Sequence, residues 1–340
     1  MNVNDELPCH MSSTRVLSKI LIRRTSTTRK VSICATQPFK SNPYDSSNAP
    51  RNISFLKMSA DNTHFYQRGS AYENLAGKTS TRLAANALSK LPLSTYGASS
   101  HILDSACGPG IVAKLLLSPS PDYVTVPGLP VQPPPRVTGI DISPAMVEQF
   151  NSNISAHGWS TAEGIVQDSG DLSRFNDGEF DAVVMNLGIF ALPDPTAGIT
   201  EIYRVLKPSG HAVVTTWKVR RPAQLLQDVV ETIRPGCGLK PMYLDPAWET
   251  KEKLEETMKA GGFPGEHMVI RDAVAGWEND SLDDIVEALS SPFWTAKIWE
   301  GWSGDETARW KDEIVRQLTE REKMTATLDM IGWVCVARKP

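Results

Sequence analysis

Short apolar runs that end in an acid or an amide recur through the middle of the chain, each followed by residues with helical periodicity. Residues 101–105, 136–142, 162–167, 180–186 and 211–217 read as strands. Helices are predicted over 111–117, from the Ser143-Pro144 cap to about His157, and over 195–206. Such alternation predicts a parallel, doubly wound α/β sheet with ligands at the carboxyl ends of its strands. Upstream, Tyr66, Tyr72, Leu75, Leu83 and Leu88 fall at helical spacing, which predicts one or two helices within 62–91. Beyond Trp217 the pattern becomes amphipathic, with helices expected over 222–233, 248–261, 281–290 and 304–322. Strands near 267–274 and 327–336 would complete the sheet. Residues 118–136 hold seven prolines and read as an inserted loop. The expected organisation is an extension over 1–57 and one folded domain over 58–340. Within that domain, 62–217 is the core, 218–325 is a mainly helical cover, and the last strand runs over about 327–336.

Charge separates the extension from the body. Residues 1–57 carry nine basic and three acidic side chains, leaving 26 and 36, so the remainder has a formal charge of −10. An acidic body without a basic stripe argues against a nucleic-acid partner and makes small substrates the expectation. The extension is rich in Ser and Thr and has no acid between Glu6 and Asp45, as in a mitochondrial presequence. Against that, Asp5 and Glu6 stand at its start and Met58 offers a natural beginning for the folded part. Five cysteines without CxxC spacing exclude a disulfide framework and a zinc knuckle, and point to a reduced, intracellular chain. The expected place is the cytoplasm, or the mitochondrion if 1–57 acts as a presequence. No apolar run approaches the ~20 residues that span a bilayer.

Candidate chemistry begins where the first strand ends. In Asp104-Ser105-Ala106-Cys107-Gly108-Pro109-Gly110, two glycines one residue apart let the backbone turn sharply and approach a ligand. An acid at that strand end would repel a pyrophosphate, yet it suits an ammonium, so the loop points to S-adenosylmethionine. Asp141, closing the second strand, is placed to accept two ribose hydroxyls. Gln167, Asp168 and Ser169 follow the third strand, where an amide or carboxylate can meet the adenine amine. Asn186 and Leu187 follow the fourth, beside the expected sulfonium. Ala106, Cys107, Gly108, Gly110, Ile142 and Met146 are expected to line the same site, with Tyr66 and Tyr72 from the preceding helices.

The segments 102–110, 139–146, 180–186 and 203–210 (Tyr-Arg-Val-Leu-Lys-Pro-Ser-Gly) resemble the motifs of class I methyltransferases of the UbiE-like type. The resemblance covers about residues 65–217. It implies a Rossmann-like sheet of seven strands with the last one antiparallel. It also assigns the methionine end of the cofactor to the Asp104 loop, the ribose to Asp141 and adenine to Asp168. More loosely, the region after Trp217 is similar to fungal secondary-metabolite methyltransferases of the gliotoxin thiol type. After the fourth strand the chain reads Asn186-Leu187-Gly188-Ile189, where quinone C-methyltransferases have Gly-Ile-Arg-Asn; quinone methylation is therefore the second choice.

Methyl transfer from a sulfonium is an in-line displacement that chiefly needs alignment and exclusion of water. No histidine pair has metal-ligand spacing, so no metal is expected. Asn186, Trp217 and His211 are candidates for positioning the acceptor, and Phe190, Trp217, Trp294 and Trp299 for its wall, which suits an aromatic or thiol acceptor. Two other classes stay open on sequence alone. One is an NAD(P)-dependent oxidoreductase, because 108–113 formally satisfies GxGxxA; the other is a non-catalytic binding protein on the same fold.

Overall fold

A computed structural model of the chain describes residues 77–340. The expected extension 1–57, the start of the 62–91 helical stretch, and with it Tyr66 and Tyr72, lie outside the described residues. Strands β1 (His101–Ser105), β2 (Arg136–Asp141), β3 (Ala162–Val166), β4 (Phe180–Asn186), β5 (Leu206–Arg220), β6 (Met268–Val274) and β9 (Met330–Arg338) form one sheet in the order β3-β2-β1-β4-β5-β9-β6. The first five run parallel, and β9 is antiparallel to both β5 and β6. A seven-stranded sheet whose last strand in the chain is antiparallel is what the resemblance implied.

Neighbouring residues on each central strand serve opposite cores. Ile102, Ala182, Val184 and Val213 join one buried cluster, while Leu103, Val183, Met185, Ala212 and Val214 join the other. Period-two alternation with both sides apolar is what a sheet covered on two faces requires. Helices α1 (Gly77–Leu88) and α2 (Ile111–Leu117) contribute to the first core, and α4 (Pro195–Val205) to the second. Helix α3 (Pro144–His157) starts as its cap predicts, with the Ser143 hydroxyl accepting from the Met146 N–H.

Phe150 on α3 fixes how that helix lies on the sheet. A Cβ added at Gly110, Gly139 or Gly164 would stand 2.7, 2.6 or 2.8 Å from its ring. Three glycines from three segments thus make one socket for one aromatic side chain.

The acceptor-side region departs from the expected helices where local caps intervene. Helix α5 (Arg221–Ile233) follows β5 directly. The stretch expected as 248–261 divides at Thr250 into a 3-10 turn, Pro246–Glu249, and α6 (Lys251–Ala260), because the Thr250 hydroxyl caps the second piece. After α7 (Leu282–Leu289), the Ser291-Pro292 signal opens an extra helix, α8 (Pro292–Ile298). The long helix expected over 304–322 is three: α9 (Gly304–Ala308), α10 (Trp310–Gln317) and α11 (Glu320–Thr325). Complete capping boxes start the first and the third, Ser303 with Glu306 and Thr319 with Glu322, whereas Arg309, before the second, makes no side-chain cap. The last strand also divides: β8 (Thr327–Leu328) pairs with β7 (Trp277–Glu278) in a separate ribbon before β9 begins. Finally, β5 starts at Leu206 rather than 211, its Lys207-Pro-Ser-Gly210 turn residues being absorbed by a register irregularity between Phe180 and Ala182 of β4.

Candidate functional site

The carboxyl ends of β1, β2, β4 and β5 open into a cavity of about 500 Å³. Its floor is the turn after β1. Ala106 and Gly108 both hold left-handed backbone, at φ 56° and 53°, and Gly110 at 94° caps α2. The two glycines of this turn answer different demands. Gly108 faces open space in the cavity, whereas a Cβ on Gly110 would strike Phe150. Gly110 does not line the cavity, so its role is packing rather than ligand approach.

Asp104 is 1% exposed beneath the turn. The Ala113 backbone N–H, in the first turn of α2, hydrogen-bonds its carboxylate, while Oδ2 is buried without a partner among the described residues. Burial raises its pKa well above the ordinary value; the Ala113 bond opposes this and the charge of Asp141 adds to it. A buried carboxylate oxygen with no donor, on the wall of a cavity, is an unmet demand for a hydrogen-bonding cation.

Asp141 is satisfied differently. Oδ2 accepts from the Gly108 N–H and Oδ1 from the Ser143 N–H, each at 2.9 Å. The side chain thereby ties the β1 turn to the cap of α3. Burial raises its pKa, and the two backbone donors pull it back. Each oxygen keeps a further lone pair, so the carboxylate can still accept from a ligand. Cys107, with its backbone N–H bonded to Ile140 O at 2.8 Å, lines the cavity as a thiol held neutral by burial and by both acids.

Around the rim, Ile142, Met146, Asp168 and Ser169 line the cavity. The Gly170 N–H donates to Asp168 Oδ1 at 2.8 Å, and the Ser105 hydroxyl to Ser169 Oγ at 2.9 Å. Gln167 does not reach it; its amide donates to the Asp171 carbonyl instead. After β4, Asn186 is braced at both ends of its amide: Nδ2 donates to Ser80 O at 3.3 Å and Oδ1 accepts from the Thr215 hydroxyl at 2.9 Å. Thr215 Oγ1 in turn accepts the N–H of Leu187, which sits at φ 63°. The two left-handed turns touch, since a Cβ on Gly188 would lie 2.6 Å from the Ala106 methyl.

Of the expected acceptor wall, Phe190, Trp217 and Trp294 line the cavity. Trp299 does not: it packs edge-on against Trp310, 5.8 Å away, inside the helical region. His211 is also away from the cavity. It pairs with Ala182 and Arg338, four residues before Thr215, roughly 13 Å back along the strand at the strand rise of ~3.3 Å. Sequence reasoning missed Trp248, Trp277, Met242 and Arg220, all of which line the cavity. Three of them lie in short or irregular segments, where periodicity carries no signal.

With its parallel strands, antiparallel β9 and acid-bearing glycine turn, the molecule has the sheet order and first-strand turn that the resemblance to class I methyltransferases implies. Residues 103–214 match the family model described as methyltransferase domain. The chain is similar to the methyltransferase ktnA of Aspergillus niger, 25% identical over 312 residues that span 84% of this chain and 97% of that one. It is also similar to a ubiquinone/menaquinone biosynthesis C-methyltransferase of Geotalea daltonii, 30% identical over 126 residues, 37% of this chain. The chain spans about half of that relative's length, 49%. Among solved structures, a methyltransferase-like protein of Bacillus halodurans superposes with a TM-score of 0.46 at 16% identity, over 75% of this chain and 97% of that one.

Proposed function

We propose that the protein transfers the methyl group of S-adenosylmethionine to oxygen or sulfur of a flat, apolar small molecule of secondary metabolism. The observation that carries the reading is Asp104 Oδ2, buried and without a donor on the cavity wall. It fits the cofactor's ammonium, and it opposes the pyrophosphate of NAD(P). Asp141 accepts the ribose hydroxyls with the lone pairs that Gly108 and Ser143 leave open. Asp168 and Ser169 border adenine, with Ile142 and Met146 against its faces. The cofactor supplies a methyl group on an electrophilic sulfonium.

The chain's own contribution is alignment. The Asn186–Thr215–Leu187 brace fixes the turn that separates the cofactor side from the acceptor side. Phe190, Trp217, Trp248, Trp277, Phe293 and Trp294 offer flat apolar surface that holds a planar acceptor and excludes water. Similarity to ktnA extends over 84% of the chain, whereas the C-methyltransferase match spans 126 residues, 37% of it. That contrast favours a small-molecule acceptor other than a quinone. The three described cysteines are free, which suits a reducing compartment such as the cytoplasm.

Calorimetric titration with S-adenosylmethionine and with NADPH, followed by a methyl-transfer screen over phenols, thiols and quinols, tests the reading. Binding of the methyl donor with turnover on a phenol or thiol is expected. Binding of NADPH alone, or turnover confined to quinols, overturns it.

A further inference from the structure

Strand β5 does not run regularly past Trp217. Trp217 pairs with Gly332 of β9 and Val219 with Ile331, so Lys218 is an extra residue on β5. A bulge of this kind reverses the facing of the residues beyond it. Trp217 and Arg220 are three apart and would point to opposite faces of a regular strand. Here they share a face: Arg220 pairs with Met330, two residues from Gly332 on β9. Trp217, Arg220 and Met330 all line the cavity.

Arg220 is the one basic side chain lining the cavity among the described residues. Its side chain is 12% exposed. Nε and Nη2 donate to Glu249 Oε1 at 3.0 and 2.9 Å, and Nη1 donates to the Met242 carbonyl at 2.7 Å. A guanidinium has five N–H groups, so one hydrogen on each Nη is left over. Glu249 offsets the charge, and together with Met242 it fixes the plane of the fork. The guanidinium thus brings the cavity's one positive charge, and two N–H donors, among aromatic surfaces.

We propose that Arg220, turned inward by the β5 bulge, is an acceptor-binding residue that selects molecules carrying an ionised oxygen, phenolate or carboxylate. The inference rests on the reading of the aromatic side of the cavity as the acceptor site. Arg220 gives that acceptor a fixed point, with the rings supplying area and the guanidinium supplying direction.

The test uses 2-naphthoate and 2-naphthamide, one ring system with and without charge, titrated into the full chain saturated with S-adenosylhomocysteine. Naphthoate is expected to bind tighter by on the order of tenfold. Arg220→Gln abolishes that preference and leaves naphthamide within about twofold. Glu249→Gln removes the competing carboxylate and strengthens naphthoate alone. An Arg220 that only braced the 242–249 segment would give the opposite pattern, both variants weakening both ligands alike, and that result overturns the proposal. So does equal binding of the two ligands by the unaltered protein, which leaves the acceptor-site reading standing. Failure of both to bind overturns the reading and the inference together. 2-Naphthol, titrated on either side of its ionisation, separates phenolate from carboxylate recognition.

Discussion

Gly108 and Asp141 stand 33 residues apart in the chain and 2.9 Å apart in the fold, the glycine N–H donating to Oδ2 of the acid. Between them lies the proline-rich insertion, which lengthens the loop without disturbing the contact. Lengthening a loop costs little, about 0.6 kcal/mol per doubling.

Asp141→Ala is expected to lose on two counts, because it strips the Gly108 and Ser143 N–H groups of their acceptor as well as removing the proposed ribose contact. Cofactor affinity should fall by about 1–3 kcal/mol. Titration calorimetry reads this directly, with the melting temperature falling alongside. An unchanged dissociation constant removes Asp141 from the site.

Asp104 should trade stability for binding. Burial holds its carboxyl above the ordinary 3.8, so the folded chain binds more protons there than the unfolded chain. The stabilisation linked to that proton is complete below 3.8 and is lost as pH rises through the raised value. Asp104→Asn removes the loss. Without cofactor, the variant should melt higher than the parent at neutral pH, and its melting temperature should depend less on pH. Its affinity for S-adenosylmethionine should drop. A variant that melts lower at neutral pH and binds cofactor as before contradicts both halves.

The Phe150 socket predicts coupling between substitutions. Gly139→Ala places a methyl 2.6 Å from the ring and should cost about 1–3 kcal/mol by overpacking. Combining it with Phe150→Leu should recover part of that, so the double variant should be less destabilised than the sum of the two single ones. Additive denaturation midpoints would show that the ring does not oppose the methyl.

Thr215→Val keeps the shape of the side chain but leaves the Leu187 N–H and Asn186 Oδ1 without their shared partner. A destabilisation of about 1–3 kcal/mol is expected. Turnover should fall further than cofactor affinity, because the brace sets the turn beside the reacting groups. Parallel measurement of kcat and of the cofactor dissociation constant separates the two.

One end of the cavity was legible in the sequence because its polar side chains cluster at strand ends: Asp104, Asp141 and Asn186 lie at the ends of β1, β2 and β4, Asp168 just beyond β3, and all four line the cavity. Gln167 was legible only to within one residue, since both it and Asp168 follow β3, and only the fold shows which one turns inward. Gly110 was placed correctly as a turn residue for an incomplete reason: its Cβ is excluded by Phe150, 40 residues on, and no local pattern reveals that. The acceptor side resisted. Arg220 faces the cavity through a bulge, which period-two reasoning assigns to the opposite face. Trp299 satisfied the composition of a substrate wall, but α10 brings Trp310 against it. His211 looked like the start of a strand and is in its middle.

Arg220 and Met330, paired across β5 and β9, are also the two ends of a long excursion, and the Arg221 N–H reaches the Asp329 carbonyl at 3.0 Å where it closes. Nearly all the irregular acceptor wall, from Met242 through Trp294, lies within this excursion, which β6 and the Thr216–Trp248 bond tie back to the sheet at further points. A segment whose ends already meet can lengthen, shorten or be replaced without re-registering β1 to β5. The bonds that hold the turns after β1, β2 and β4 use no residue between 221 and 329, so a change of acceptor wall within that segment leaves those turns their own supports.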